Sequence, residues 1–357
     1  MNVILPALTS LIALVFAIAL LDQWRDRHRT FQLVWALGML FFGIAAGAEA
    51  LANSAGWNEL LYRVWYLCGA VWTAGWLGLG TAFLLGRTRF GYSFALGLLL
   101  AGLFTFLTQV KYQYADAGIA PVAYFVGAGV LALAVAVETY FGSDRWPRIA
   151  AVAVVGATLV SVGLMATTTL PAPGWVTDPA TGTPIATLFP GSLRLLTPFL
   201  NITGGLSLAL GAIFSAYVFM PKRRVLEYSL DPTQKGDVFL FNLLISPIAI
   251  TVNFVVSLPL AVRALLTGRI NNRVPATILI AIGAFVAGSG DTLLRFGVSD
   301  FVLVGKFLAV VFLFTGFLLS SETFAVFRVP FTRIVFGRRP DASAGAGAIN
   351  ASASGPR

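Results

Sequence analysis

Residues 237–266 read DVFLFNLLISPIAITVNFVVSLPLAVRALL, and how this run sits in a bilayer decides the threading of the chain. Roughly 20 mostly apolar residues are enough for a helix to cross, and this run exceeds that. It also carries Pro247 and Pro259, and two asparagines, Asn242 and Asn253. Proline removes a helix hydrogen bond and crowds the preceding turn. Irregular backbone survives at membrane depth only inside protein or beside water. If the run crosses once, Arg263, Arg269 and Arg273 fall on the side opposite the other basic loops. So do Arg328, Arg333, Arg338 and Arg339 after the last apolar run. If the run enters and returns, all of these join the other basic loops. Prolines and charges together predict a re-entrant or proline-broken segment, or a surface helix with a short dip. One long tilted helix kinked at its prolines is the simpler alternative.

Working outward, further apolar runs cover about 3–21, 31–53, 60–86, 91–109, 119–140, 149–169, 194–220, 274–291 and 301–320. The chain is 58% hydrophobic and 11% charged, against about 25% charged in a soluble domain. Lipid must therefore solvate much of it. The runs are too long for strands and lack the alternation of a membrane β-barrel. The expected fold is all-α, a polytopic transmembrane helical bundle of about nine or ten membrane segments. Its expected parts are a seven-span bundle over 1–220, a basic linker over 221–236, a C-terminal membrane unit over 237–339 and a disordered Ala/Gly/Ser-rich tail over 340–357.

Loop charges predict the orientation. Arg25, Arg27 and Arg29 lie in the first loop, and Arg87, Arg89, Arg145 and Arg148 lie in alternate later ones. By the positive-inside rule these loops are cytoplasmic, with the N-terminus outside and the C-terminus inside a multi-pass protein of the cell membrane. No basic stretch precedes the first run, so it reads as a span rather than a cleaved leader. Lys222, Arg223, Arg224 and Lys235 make the linker a basic strip suited to anionic lipid headgroups. The net charge of +9 expresses this bias rather than nucleic-acid binding. Lys111 and Arg194 are the exceptions, basic residues on the predicted outer side. Also outside, PAPGWVTDPATGTPIATLFPG near 170–193 reads as an ordered cap or a flexible lid.

The sequence also limits the chemistry. His28 is the only histidine and Cys68 the only cysteine. Bis-His haem ligation, His-based zinc sites and Ser-His catalysis inside the membrane are therefore excluded. No phosphate loop or dinucleotide fingerprint appears. We expect no catalytic residue, no metal and no cofactor.

Ionisable groups in a membrane are costly and mark candidate sites. Here they gather at the predicted outer helix ends: Glu49, Glu59, Arg63, Asp291, Arg295, Asp300 and Lys306. Glu59 and Arg63 are four apart with the acid first, as are Asp291 and Arg295, the favourable order on a helix. Residues 46–72 and 287–312 also resemble each other as an internal repeat. Glu49 then answers to Asp291, Glu59 to Asp300 and Arg63 to Lys306. Acid and base can neutralise one another between helices there, either as interfacial anchors or as a polar site. Two functions compete. One is a permease or transporter-like protein for a small solute or lipid, which requires a polar cavity near mid-membrane lined by Asn201, Asn242 or Asn253 with small residues. The other is a non-transporting seven-span sensor-like or assembly subunit, dry at that depth.

Overall fold

The computed structural model describes residues 2–179, 182–229, 236–267, 270–271, 273–295, 302–320, 327–328 and 335–336. For residues 236–237, 239–240, 243–244, 247 and 289–295 it describes the helical backbone alone. The helices are α1 (Ile4–Arg27), α2 (Thr30–Ala55), α3 (Glu59–Trp65), a π-helical turn (Tyr66–Trp72) and α4 (Thr73–Leu84). Then come α5 (Gly91–Tyr112), α6 (Ala120–Tyr140), α7 (Trp146–Thr167), α8 (Gly191–Phe219), α9 (Gly236–Leu266), α10 (Arg273–Arg295) and α11 (Val302–Leu319). Beyond α11, β1 (Phe327–Arg328) pairs antiparallel with β2 (Val335–Phe336). Lys235, Arg269, Asp300, the tail 340–357 and the side chains of Pro247, Asp291 and Arg295 lie outside the described residues.

Helix ends follow local chemistry. Pro121 and Pro147 stand in the first turns of α6 and α7, where a missing N–H costs nothing. The Asn58 side chain caps α3 by accepting from the Leu61 N–H at 2.9 Å. Gly56 stops α2 in a positive-φ conformation.

Nine helices among the described residues are long and apolar enough to cross a membrane. Their outer faces carry exposed Leu99, Leu103, Val130, Leu133 and Leu159. Such a surface needs hydrocarbon around it. The protein is an all-α polytopic integral membrane protein.

Close crossings set the packing. Gly78 of α4 and Gly204 of α8 lie back to back, and a Cβ on either would collide with the other helix's backbone. Ser10 of α1 donates to the Gly43 carbonyl of α2 at 2.8 Å. Trp35 of α2 donates to the Leu77 carbonyl of α4 at 3.0 Å. α11 docks on α1 and α2 through Phe317, whose ring lies 5.0 Å from Phe16 and 4.5 Å from Trp35. α5 and α10 both pack on α8.

The bundle has a basic end, with the loops at 28–29, 85–90 and 141–145 and the linker after α8. It also has a capped end, with the segment 168–190. Phe189 of the cap stacks on Tyr62 and Tyr66, at 4.8 and 4.1 Å. The Tyr62 hydroxyl donates to the Ile185 carbonyl. The described residues of this segment, 168–179 and 182–190, form a cap over this end.

α9 corrects one expectation. It is a single uninterrupted helix through Pro247 and Pro259, so the prolines do not reverse the chain. Membrane proteins tolerate proline in helices where local adjustment re-satisfies the freed groups. The described contacts of α9 gather at one end of the bundle. Ile250, Phe254 and Ala261 cluster with Tyr217, Met220 and Val274, at the end of α8 and the start of α10. The Arg273 guanidinium lies over the Phe219 ring at 4.4 Å. α9 makes no extended packing against any bundle helix among the described residues. Its stretch Ile248–Leu266 is apolar enough to cross, yet these contacts keep it at the basic end. α10 then runs to the capped end and α11 returns.

Candidate functional site

Between α2, the π turn, α4, α5, α8, α10 and α11 lies a cavity of about 750 Å³. The elements shape it in distinct ways. The π turn widens the third span, and Thr73 Oγ1 compensates by donating to the Cys68 carbonyl at 2.7 Å. Such turns are frequent at functional sites, and Gly69 and Ala70 of this one line the cavity. α8 contributes Pro198, which has no N–H to donate, and then Asn201 and Gly205. Asn201 lies ten residues into α8, about 15 Å along its axis.

At the capped end the wall is ionic. The Lys306 ammonium of α11 donates to Glu49 Oε2 of α2 at 2.9 Å. The Glu49 side chain is 3% exposed and that of Lys306 29%. Lys111 and Tyr112, from the end of α5, also line this end. The Lys111 ammonium lies 5.3 Å from the Tyr112 ring centroid. Farther in, the Asn201 carbonyl oxygen is buried with no hydrogen-bond partner among the described residues, which is costly for a polar atom. The rest of the lining is small or apolar: Ala74, Leu77, Ile202, Leu208, Ala284 and Leu313.

The predicted residues separate into groups. Glu49, Lys306 and Asn201 converge on the cavity. Glu59 and Arg63 pair at 2.6 Å but stand apart from it. Arg63 also donates to the Met165 and Thr168 carbonyls at 2.6 and 2.7 Å, clasping the end of α7. Asn253, a candidate cavity residue, serves instead to hold the linker. It accepts from the Val225 and Leu226 N–H groups at 2.8 and 3.0 Å and donates to the Leu226 carbonyl at 2.7 Å. Ser257 continues this seam, accepting from the Arg223 N–H at 2.9 Å. Asn242 and exposed Pro259 belong to α9 and are not in the cavity wall. In the basic strip, Arg223 and Arg224 are exposed and Lys222 lies 5.3 Å from the Tyr217 ring centroid. Partial burial and the neighbouring Arg224 draw the Lys222 ammonium below the usual lysine range. Lys111, Thr108 and Trp65 line the cavity without having been singled out as site residues. The signal for Lys111 was its breach of the loop-charge pattern.

The proposed repeat aligns Glu49 with Asp291 and Arg63 with Lys306. The side chain of Asp291 lies outside the described residues, while Arg63 pairs with Glu59 and donates to the end of α7.

These features define a membrane protein with an internal, partly polar cavity. Comparison with protein-family models, curated proteins and solved structures returns no match.

Proposed function

We propose that the chain is a permease-like protein for a small solute or lipid, with the cavity as its binding site. The observation that carries this reading is the cavity itself. It has an ionic end at Glu49 and Lys306, and Asn201 of α8 lies in its wall away from that end. Binding pockets are concave and mostly apolar with a few convergent polar groups, over about 300–1,000 Å³. Of the asparagines Asn201, Asn242 and Asn253, Asn201 lines the cavity beside Gly205 and Ala74, which supports the transport reading over a sensor-like or assembly subunit expected to be dry at that depth. The positive-inside rule puts the basic end in the cytoplasm and the capped end outside, so the cavity's ionic end belongs to the outer leaflet side.

Thiol labelling tests this. In a Cys68→Ala background, Ala74→Cys on the cavity wall is expected to react with a water-soluble thiosulfonate. Leu133→Cys, 67% exposed on the outer face of α6, is the lipid-facing control and stays inert. An Ala74→Cys as inert as the control means a dry interior, and the transport reading falls. Thr267→Cys, at the basic end, is expected to label only after cells are opened. Labelling from outside intact cells reverses the orientation.

A further inference from the structure

We propose that the cavity takes an anionic amphiphile, an apolar chain bearing a carboxylate or phosphate head, which enters sideways from the bilayer between α5 and α10. This rests on the cavity being a binding site and adds the chemical class of its occupant.

The mouth is the first argument. α5 and α10 both pack on α8, without extended packing on each other among the described residues. Phe104 and Leu107 of α5 line the cavity and yet are 42% and 52% exposed. Across from them, Ala287 and Gly288 of α10 line it and are exposed as well. Residues that line a cavity and also face the lipid phase make its opening lateral. A molecule already in the leaflet reaches it without leaving hydrocarbon.

Charge is the second. The described lining holds two cations, Lys111 and Lys306, and one anion, Glu49. Glu49 offsets Lys306 at 2.9 Å. No carboxylate pairs with Lys111 among the described residues. It stands at the end of α5 over the Tyr112 ring, on the side where the loop-charge pattern disfavours a basic residue. A cation surplus among the described residues at the rim of an apolar pocket favours a negative head.

The gradient along the cavity is the third. Glu49, Lys111, Tyr112 and Lys306 occupy the end near the membrane face, while Leu77, Leu208 and Leu313 lie deeper. A head near the interface with its chain directed inward satisfies both ends. A small free anion leaves the apolar part unfilled, and an uncharged chain leaves Lys111 unmatched.

The experiment uses the full chain in nanodiscs of zwitterionic phosphatidylcholine, titrated with dodecyl phosphate, dodecyltrimethylammonium or inorganic phosphate. Dodecyl phosphate is expected to saturate one site per protein. Lys111→Gln is expected to weaken it about tenfold, as for one charge-assisted hydrogen bond. Gly205→Phe is expected to abolish binding. A Cβ at Gly205 meets nothing within 4 Å, so the new side chain starts into open space on the cavity wall. Dodecyltrimethylammonium is expected not to saturate, and inorganic phosphate not to compete. Equal binding of the cationic amphiphile, competition by inorganic phosphate, or binding unchanged in both variants overturns the proposal. If Ala74→Cys labels but dodecyl phosphate does not bind, the ligand class is wrong and the cavity reading stands. If Ala74→Cys is inert and dodecyl phosphate does not bind, both fall.

Discussion

Two acid–base pairs among the described residues stand towards the capped end of the bundle, and they are built on opposite plans. Glu59 and Arg63 are neighbours on one helix turn, with the Glu59 side chain 49% exposed. Glu49 and Lys306 are 257 positions apart, on α2 and α11, and Glu49 is almost wholly buried. The first pair is a by-product of helical spacing, and its arginine mainly serves the end of α7. The second joins the first and last hairpins of the bundle and forms the charged wall of the cavity. Proximity in sequence is therefore a poor guide to which ionic pair matters. A local pair forms wherever the helix forms, whereas a distant buried pair forms only in the assembled fold.

The largest expected effect comes from breaking the distant pair. Lys306→Met leaves the Glu49 carboxylate buried and without this partner, and stranding one member of a buried pair costs about 3–5 kcal/mol. A large fall in the apparent melting temperature of the detergent-solubilised protein is expected. Adding Glu49→Gln removes the stranded charge and should recover most of the loss. If the double variant is as unstable as Lys306→Met alone, the damage is not electrostatic, and the contrast between the pairs dissolves.

Next in size is Arg63→Ala. It removes donors to the Met165 and Thr168 carbonyls as well as the bridge to Glu59. A part-buried acceptor that loses its donor costs about 1–3 kcal/mol, so a smaller fall in melting temperature is expected. Cavity labelling at Ala74→Cys should be unchanged in this variant. A change there would tie the α7 clasp to the cavity.

The comparison also shows what the sequence could reveal. Long apolar runs registered well. The run at 60–86 became the span Glu59–Leu84 and that at 194–220 became α8, because lipid leaves helices little alternative. The acidic and basic residues were recognisable as candidates because each is expensive near a bilayer. Their pairing across the fold was not, since spacing carries no information over 257 positions. The π turn was equally hidden, as nothing in YLCGAVW differs from an ordinary membrane helix apart from Thr73 just beyond it. Asn253 was misleading in a physical sense. Its polarity within an apolar run is real, but the groups that need it are the linker's own N–H and C=O rather than a ligand's. The prolines misled similarly, because α9 continues through Pro247 and Pro259 as one helix.

The smallest effect sharpens the comparison most. Glu59→Ala removes an exposed carboxylate at the start of α3, and exposed pairs of this kind are worth about 0–1 kcal/mol. An acid in the first helical turn adds a dipole contribution of about 0.3–1 kcal/mol. The Asn58 cap, however, stays in place and continues to hold the Leu61 N–H. Arg63 also keeps both α7 carbonyls, so no buried group is stranded. The expected shift in melting temperature is therefore well below that of Arg63→Ala, although the two substitutions break the same salt bridge. A cycle of the two single variants and the double measures their coupling. A coupling below about 1 kcal/mol places the weight of Arg63 on the α7 carbonyls. A coupling as large as the whole Arg63→Ala effect would mean that the local pair carries the load after all. Sequence spacing would then have pointed to the stronger of the two pairs.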